Sequence, residues 1–466
     1  MRFAVVGIAL LFALPFTRTG RADELHVDVH HRTTVDTHWS SDPVAPSLAE
    51  DVVRSWLRTT LSAAGGTATR YRLDVRLDLE TRAKDGLKRS TYLYDAIPLA
   101  AYVDVPIGQK LRIKLGEQIV SWGRMDLASA ADVLDRRDLR TPLDPTHLPT
   151  PTIRADFHGA IGLSLAWSVV SRPHRFDLAG SSWSVLNPGI LGTVAGRDTL
   201  HRIATSTDAS TFMRVQDAFL QASSATPRID GGDVAARATA HLGGADLALT
   251  YGYARTKLPI LTVDQSLVDL ITRGDLPSAL ALVRALDEGR PLVTSDYPRV
   301  HQLALDLEGT AGPFVLSWEL GFSPSRPLYV RDRNGIPARA DTPLAQGGLR
   351  AQYTRGETFA WVTEVDYFVA VKANDYLLFH RALFAASTLI RDVLARKHAV
   401  EGGALFTSSG PSVALTARYG YELSETWTIG CGATFFPRLR EKTSAITLAD
   451  VQVGRDYVEL FVRARL

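Results

Sequence analysis

The residues of this chain best suited to act on a solute are charged side chains at every second position. Between Arg70 and Glu80, Arg70, Arg72, Asp74, Arg76 and Asp78 alternate with Tyr71, Leu73, Val75, Leu77 and Leu79. Arg112, Lys114, Glu319, Glu364, Asp366, Arg418 and Glu422 stand in similar alternating surroundings further along. Rows of fixed charge facing water bind, repel or steer ions. A second concentration follows Trp122-Gly123, where Asp126, Asp132, Asp135, Arg136, Arg137, Asp138 and Arg140 fall within fifteen residues. Its signs are interleaved, so it reads as an internal ion-pair network. A calcium site is a poorer match, because the arginines repel a cation.

Catalytic and metal chemistry find little support. The 12 histidines are scattered and no G-x-S-x-G motif occurs, so no nucleophile–base arrangement is assigned. His26, Asp28, His30 and His31 lie close in sequence. On a strand, His26 and His30 share a face but stand about 13 Å apart at ~3.3 Å per residue, too far for one zinc ion. The single Cys431 rules out an intrachain disulfide and a cysteine cluster. With 52 basic and 50 acidic residues, the chain has no basic footprint for nucleic acid. No cofactor is expected.

Alternation of this kind belongs to strands, whose successive side chains point to opposite faces. One face is apolar and the other charged. That pattern fits a soluble sheet over a core, or a barrel wall between lipid and a wet lumen. The pattern recurs in Ile161–Val169, Leu247–Tyr253, Leu303–Leu307, Phe314–Phe322, Phe359–Val369, Val413–Leu423, Trp427–Phe435 and Val458–Leu466. Short turns, such as 309–313 and 424–426, alternate with long connections at 124–152, 171–210, 257–298, 324–345 and 372–397. Short turns on one side and long loops on the other mark outer-membrane barrels. Arg2, the apolar run Phe3 to Phe16 and Gly20-Arg21-Ala22 make a secretory signal peptide over 1–22. The expectation is an all-β, antiparallel transmembrane barrel of about 14 strands over 67–466.

Two helical segments are expected beside the barrel. Ser47-Leu48-Ala49-Glu50 has the form of a capping box, and Val52, Val53, Trp56, Leu57 and Leu61 follow as one stripe. This predicts an amphipathic helix over 47–63, within an N-terminal segment at 23–66, at the rim or plugging the mouth. The insertion at 262–290, interrupted by Gly274 and bracketed by Pro277 and Gly289, predicts a helical hairpin in an extracellular loop.

Gly116-Glu117-Gln118-Ile119-Val120-Ser121-Trp122-Gly123, followed by Asp132-Val133-Leu134-Asp135-Arg136-Arg137-Asp138, resembles a signature of uncharacterised proteobacterial outer-membrane barrels, similar to porin-like and alginate-export-type channels. Their pattern is roughly G-x-Q-x-V-x-W-G, then D-V-L-N-P-R-D. Here Asp135-Arg136-Arg137-Asp138 departs from the Asn-Pro form. The resemblance implies envelope transport in the outer membrane, often beside inner-membrane or periplasmic export components. The terminal apolar row ending in Leu466 resembles the strand that the barrel-assembly machinery reads. The combined expectation is a channel, or the outer partner of an export route, embedded in outer-membrane lipid and passing small or amphipathic solutes through a constricted, mixed-charge lumen. The two charged sets named first are the pore lining and the constriction loop. A surface adhesin or scaffold barrel is the alternative, and an outer-membrane hydrolase a further one.

Overall fold

The computed structural model describes residues 22–36, 53–65, 69–84, 89–139, 146–175, 214, 215, 218, 231–273, 275–331, 337–356, 358–371, 382–394, 397–408, 412–437 and 457–465. Ser47–Glu50, Arg140 and the signal peptide before Ala22 lie outside them. The first strands are β1 (Ala22–Asp36), β2 (Val53–Gly65), β3 (Arg70–Lys84), β4 (Arg89–Ile107) and β5 (Leu111–Gln118). Two short strands follow, β6 (Arg136–Asp138) and β7 (Thr146–Leu148), then β8 (Thr150–Phe157), β9 (Ile161–Ser168), β10 (Asp233–Leu242) and β11 (Ala245–Arg255). A helical insertion holds β12 (Ile260–Val263), α1 (Gln265–Arg273), α2 (Leu276–Asp287) and β13 (Val293–Asp296). After it come β14 (Arg299–Ala311), β15 (Phe314–Arg331), β16 (Pro337–Arg355), β17 (Phe359–Ala370) and β18 (Ala382–Leu394). The last four are β19 (His398–Thr407), β20 (Ser412–Glu422), β21 (Trp427–Phe435) and β22 (Tyr457–Arg465).

Eighteen of these strands form one antiparallel sheet, and β6–β7 and β12–β13 form two small separate ladders. In the large sheet each strand pairs with its chain neighbours. The first strand also pairs with the last, from Asp28↔Arg465 to Asp36↔Tyr457. No strand of that ring is left with an open edge, which is what a sheet needs where no water can satisfy its backbone. Tight turns lie at one end. Gly243-Gly244 and Gly312 take positive φ there, the conformation that two-residue hairpins demand. The connection from β5 to β6 and the helical insertion between β11 and β14 leave from the other end.

The burial pattern is inverted relative to a soluble protein. On β11, Leu249, Tyr251 and Tyr253 are exposed while Ala248, Thr250 and Ala254 are buried. On β14, Leu303 and Leu307 are exposed, and Gln302 and Asp306 are buried. Ile161, Leu163, Leu165 and Trp167 on β9 face outward, all more than 40% exposed. No helix among the described residues is long and apolar enough to cross a membrane. The apolar belt is carried by strands.

Three expectations are corrected. The strand count is 18 in the ring, not about 14. The residues 53–65 form β2, not the end of an amphipathic helix. β2 pairs with β1 from Ala22↔Gly65 to Val35↔Val53 and with β3 from Val53↔Ala83 to Gly65↔Tyr71. The stripe Val53, Leu57, Leu61 is compatible with both periods, and pairing on both edges decides for the strand. The described parts of the N-terminal segment, 22–36 and 53–65, are therefore strands of the ring. The connections read at 324–345 and 372–397 also shrink, because β15, β16 and β18 run into them. The sequence 382–394 hides its period because Leu389 faces the lumen beside outward Ile390. The insertion at 262–290 does hold two helices. Asp275 caps α2, accepting from the Ser278 N–H at 2.9 Å, and Leu267, Leu270, Leu282 and Ala285 pack with Leu292 and Val215 in a small core of their own.

Candidate functional site

The connection between β5 and β6, residues 119–135, does not project outward from the ring. It folds across the lumen and is fixed to the opposite wall. On β15, Glu319 is fully buried. It accepts from the backbone N–H of Arg124 at 3.1 Å and of Ala131 at 3.0 Å, from the Ala130 N–H, and from Ser129 Oγ at 2.8 Å. On β17, Glu364 accepts from the N–H groups of Asp126 at 2.9 Å and Leu127 at 2.8 Å. Ionised acceptors make the stronger hydrogen bonds, more so away from water. The backbone is thus clamped by two wall carboxylates.

Arginines complete the attachment. Arg124 reaches Glu308 at 3.0 Å and Asp306 at 3.5 Å on β14. Arg350 on β16 reaches Asp126 at 3.1 Å. Arg237 on β10 donates to the Trp122 carbonyl at 2.7 Å and pairs with Asp306 at 2.8 Å. On the side where the loop originates, Arg76 of β3 meets Asp138 at 3.3 Å.

Inside the loop, Asp132 accepts from the N–H groups of Trp122 at 2.7 Å and Gly123 at 2.6 Å, and from Ser121 Oγ at 3.1 Å. Arg137 bridges Asp132 at 3.3 Å and Asp135 at 2.7 Å. Burial, with Asp135 nearby, pushes the Asp132 carboxyl up. Asp135 is buried too, but His147 at 2.7 Å and Arg137 hold its carboxyl below the ordinary value. The same bond to Asp135 raises His147. Beside them the segment 171–175 runs along β6, and His174 Nδ1 accepts from the Arg137 N–H at 2.8 Å. Burial lowers His174 to about 3. Burial, with Arg172 and Arg175 adding like charge, lowers Arg136 to about 10.

The wall makes room for this loop with small residues. Val120, Trp122 and Leu134 pack on Ala166, Ala235 and Ala254. A Cβ at Gly252 would come within 2.3 Å of Val133, one at Gly321 within 2.2 Å of Ala130, and one at Gly348 within 2.7 Å of Met125 Sδ. A Cβ contact under 3 Å forces a shift, so these wall glycines accommodate the loop.

The charged residues singled out from the sequence separate into groups. Asp74, Arg76, Glu319, Glu364 and Asp366 are buried, most of them under or beside the loop. Arg70, Arg72 and Glu422 are exposed near the turn end. Arg112, Lys114 and Arg418 are half-buried in the wall. Arg418 pairs with Glu459 at 2.7 Å and Glu401 at 3.4 Å. Asp126, Asp132, Asp135, Arg136, Arg137 and Asp138 come together in or beside the loop with Trp122 and Gly123. Asp306, Glu308, Arg237, Arg350 and the three wall glycines were not singled out. Asp306 was visible as a polar position in the 302–308 alternation. The glycines gave no signal, because what each must accommodate lies more than a hundred residues away in sequence.

Among the described residues the loop side of the lumen is packed, and side chains on the far side keep partial exposure. On β18–β20, Leu389 remains 40% exposed, and the side chains of Glu401 and Arg418 each remain 28% exposed. Among the described residues no group of three or more His, Cys, Asp or Glu side chains is placed to hold a metal ion.

A ring of strands with an apolar outer belt and a charged interior is an outer-membrane β-barrel. No family model matches the chain, and no curated protein matches it. Solved structures with a similar course include Acinetobacter baumannii OccAB1, at 8% identity and TM-score 0.48, covering 96% of this chain and 98% of that one. Pseudomonas aeruginosa OccK5 (OpdH) aligns at 9% identity and TM-score 0.45, covering 95% and 97%. Salmonella typhi OmpF, in complex with daunomycin, aligns at 9% and 0.38 with the same coverage. The architecture described above rests on the strand pairing and burial, not on these likenesses.

Proposed function

We propose that the chain is a diffusion channel of the outer membrane for small solutes, with residues 119–135 as its constriction. Eighteen strands enclose more space than side chains fill, and rings of this size leave an aqueous passage. The observation that carries the reading is the lopsided lumen: the loop is clamped to β14–β17, while wall residues of β18–β20 stay wetted. The passage then runs between the loop and the β18–β20 side, past the partly exposed Arg418 and Glu401. Both signs are present there, which supports a mixed-charge lumen with weak ion selectivity. The outer belt would contact lipid directly, and the assembly machinery and periplasmic export components remain proposed partners. The mechanism is diffusion without a cofactor.

Liposome swelling with solutes of graded size tests the reading. The expected result is permeation of small sugars with a sharp size limit, and ohmic single-channel currents in planar bilayers. Impermeability of correctly folded protein to every solute and to potassium chloride would overturn it.

A further inference from the structure

A cavity of about 210 Å³ is lined in part by Arg112, Lys114, Arg154, Asp156, Ser164 and Thr239, and its Arg154 guanidinium lies 5.8 Å from the Trp122 ring at the start of the loop. By register, Lys114 on β5 stands opposite Asp104 on β4 and Arg154 on β8. Asp104 would be its natural partner. Both oxygens of Asp104 are instead taken by Arg112, through Nε at 3.3 Å and through Nη2. Asp156 is engaged through Oδ1 alone, which accepts from Arg154 Nε at 2.8 Å and from Ser164 Oγ at 2.6 Å.

Lys114 is left over. Among the described residues its half-buried ammonium makes no ion pair and no hydrogen bond, and the Tyr102 ring centroid lies 5.9 Å away. Its direct cross-strand neighbour Arg154 carries the same sign, an arrangement that costs stability unless an anion lies between. Three cations against two carboxylates leave the cluster at net +1. Thr239 Oγ1 holds only a long bond of 3.4 Å to the Gly162 carbonyl, so its hydroxyl is available to another acceptor. An ammonium offers three rotatable donors and no acceptor.

We propose that this cavity is a binding station for a small oxyanion, a carboxylate or phosphate group, held by Lys114 with Arg154 and Thr239 beside it. The proposal rests on the channel reading in one respect: the station lies on the lumen wall at the turn-side mouth, where a permeating solute meets it. It departs from that reading in assigning a discrete anionic ligand to a lumen otherwise of mixed charge.

The test uses the full-length folded barrel in detergent, titrated calorimetrically with inorganic phosphate and, separately, with gluconate. The same protein is measured in planar bilayers for current block by each probe. Lys114→Gln weakens binding by about tenfold, the loss of one close charge contact, and Lys114→Arg restores most of it. Asp156→Asn, which releases Arg154, tightens binding. Heat-modifiable migration in gels confirms that each variant is folded. Equal binding by wild type and Lys114→Gln, or no binding of either probe to wild type, overturns the station. Lys114-dependent binding without any current overturns the channel and leaves the station standing.

Discussion

Removing Glu319 should open the lumen. The carboxylate accepts from three backbone N–H groups and one hydroxyl of the loop, out of contact with water. Each hydrogen bond to a charged group is worth about 1.5–3 kcal/mol, and each donor left unsatisfied in place costs about 1–3 kcal/mol. The effects overlap and do not add. Glu319 also stands opposite Asp306 in the ladder, and relief of that like-charge pair returns about 0.2–1 kcal/mol. A net loss of about 3–5 kcal/mol from the clamped arrangement is the working figure for Glu319→Ala. That shifts the ratio of clamped to released loop by about two to four powers of ten. Glu364 still holds Asp126 and Leu127, so the single variant should flicker between the wild-type conductance and a larger level. Glu319→Ala with Glu364→Ala should dwell in the larger level. Single-channel recording reads this directly, with heat-modifiable gel migration confirming that the ring is intact. A folded double variant with wild-type unitary conductance and no flicker would refute the clamp.

Further outcomes follow from the same geometry. Gly321→Val places carbon where a Cβ already falls 2.2 Å from Ala130, so it should raise conductance as Glu319→Ala does, and unchanged currents would count against the packed loop. Leu249→Arg on the outer belt should destabilise the folded barrel by about 2–4 kcal/mol in urea titrations in liposomes, whereas Thr239→Arg, facing the lumen, should cost far less. His174 is lowered to about 3, so the packed loop requires its neutral form: that stability is intact above the ordinary pKa of 6.5 and is lost as pH falls toward 3, at most about 2 kcal/mol by pH 5. His147, raised by Asp135, acts in the opposite direction, being stabilising at low pH and losing that as pH rises through its own elevated pKa. The His174 displacement is the larger of the two, so flicker should increase from pH 7 to 5 in wild type and increase less in His174→Gln, as recorded in bilayers.

The wall was largely legible in the sequence and the loop's anchorage was not. Arg72, Asp74, Arg76 and Asp78 against Leu73, Val75, Leu77 and Leu79 is a period-2 pattern that a lipid-facing strand enforces on its own. β2 and β18 escaped because lumen positions tolerate threonine, serine and leucine as readily as charge, which blurs the contrast between faces. The ion pairs inside 126–138 could be inferred from neighbouring opposite charges. Glu319 and Glu364 could be placed on the inner face, but their partners are main-chain N–H groups, which every residue possesses and no composition reveals. Gly321 and Gly348 matter through what lies opposite them in space, information that resides in the register of the whole ring.

Apart from the Ser129 hydroxyl, Glu319 and Glu364 grip the loop by its peptide groups, so they are indifferent to the side chains of the other residues they hold. The side chain of Leu127 could be exchanged over many generations while that grip persisted, whereas those of Arg124 and Asp126 also carry ion pairs to the wall. A lineage built on this plan could retune what its pore admits through the loop alone, and the two glutamates would be the positions least free to drift.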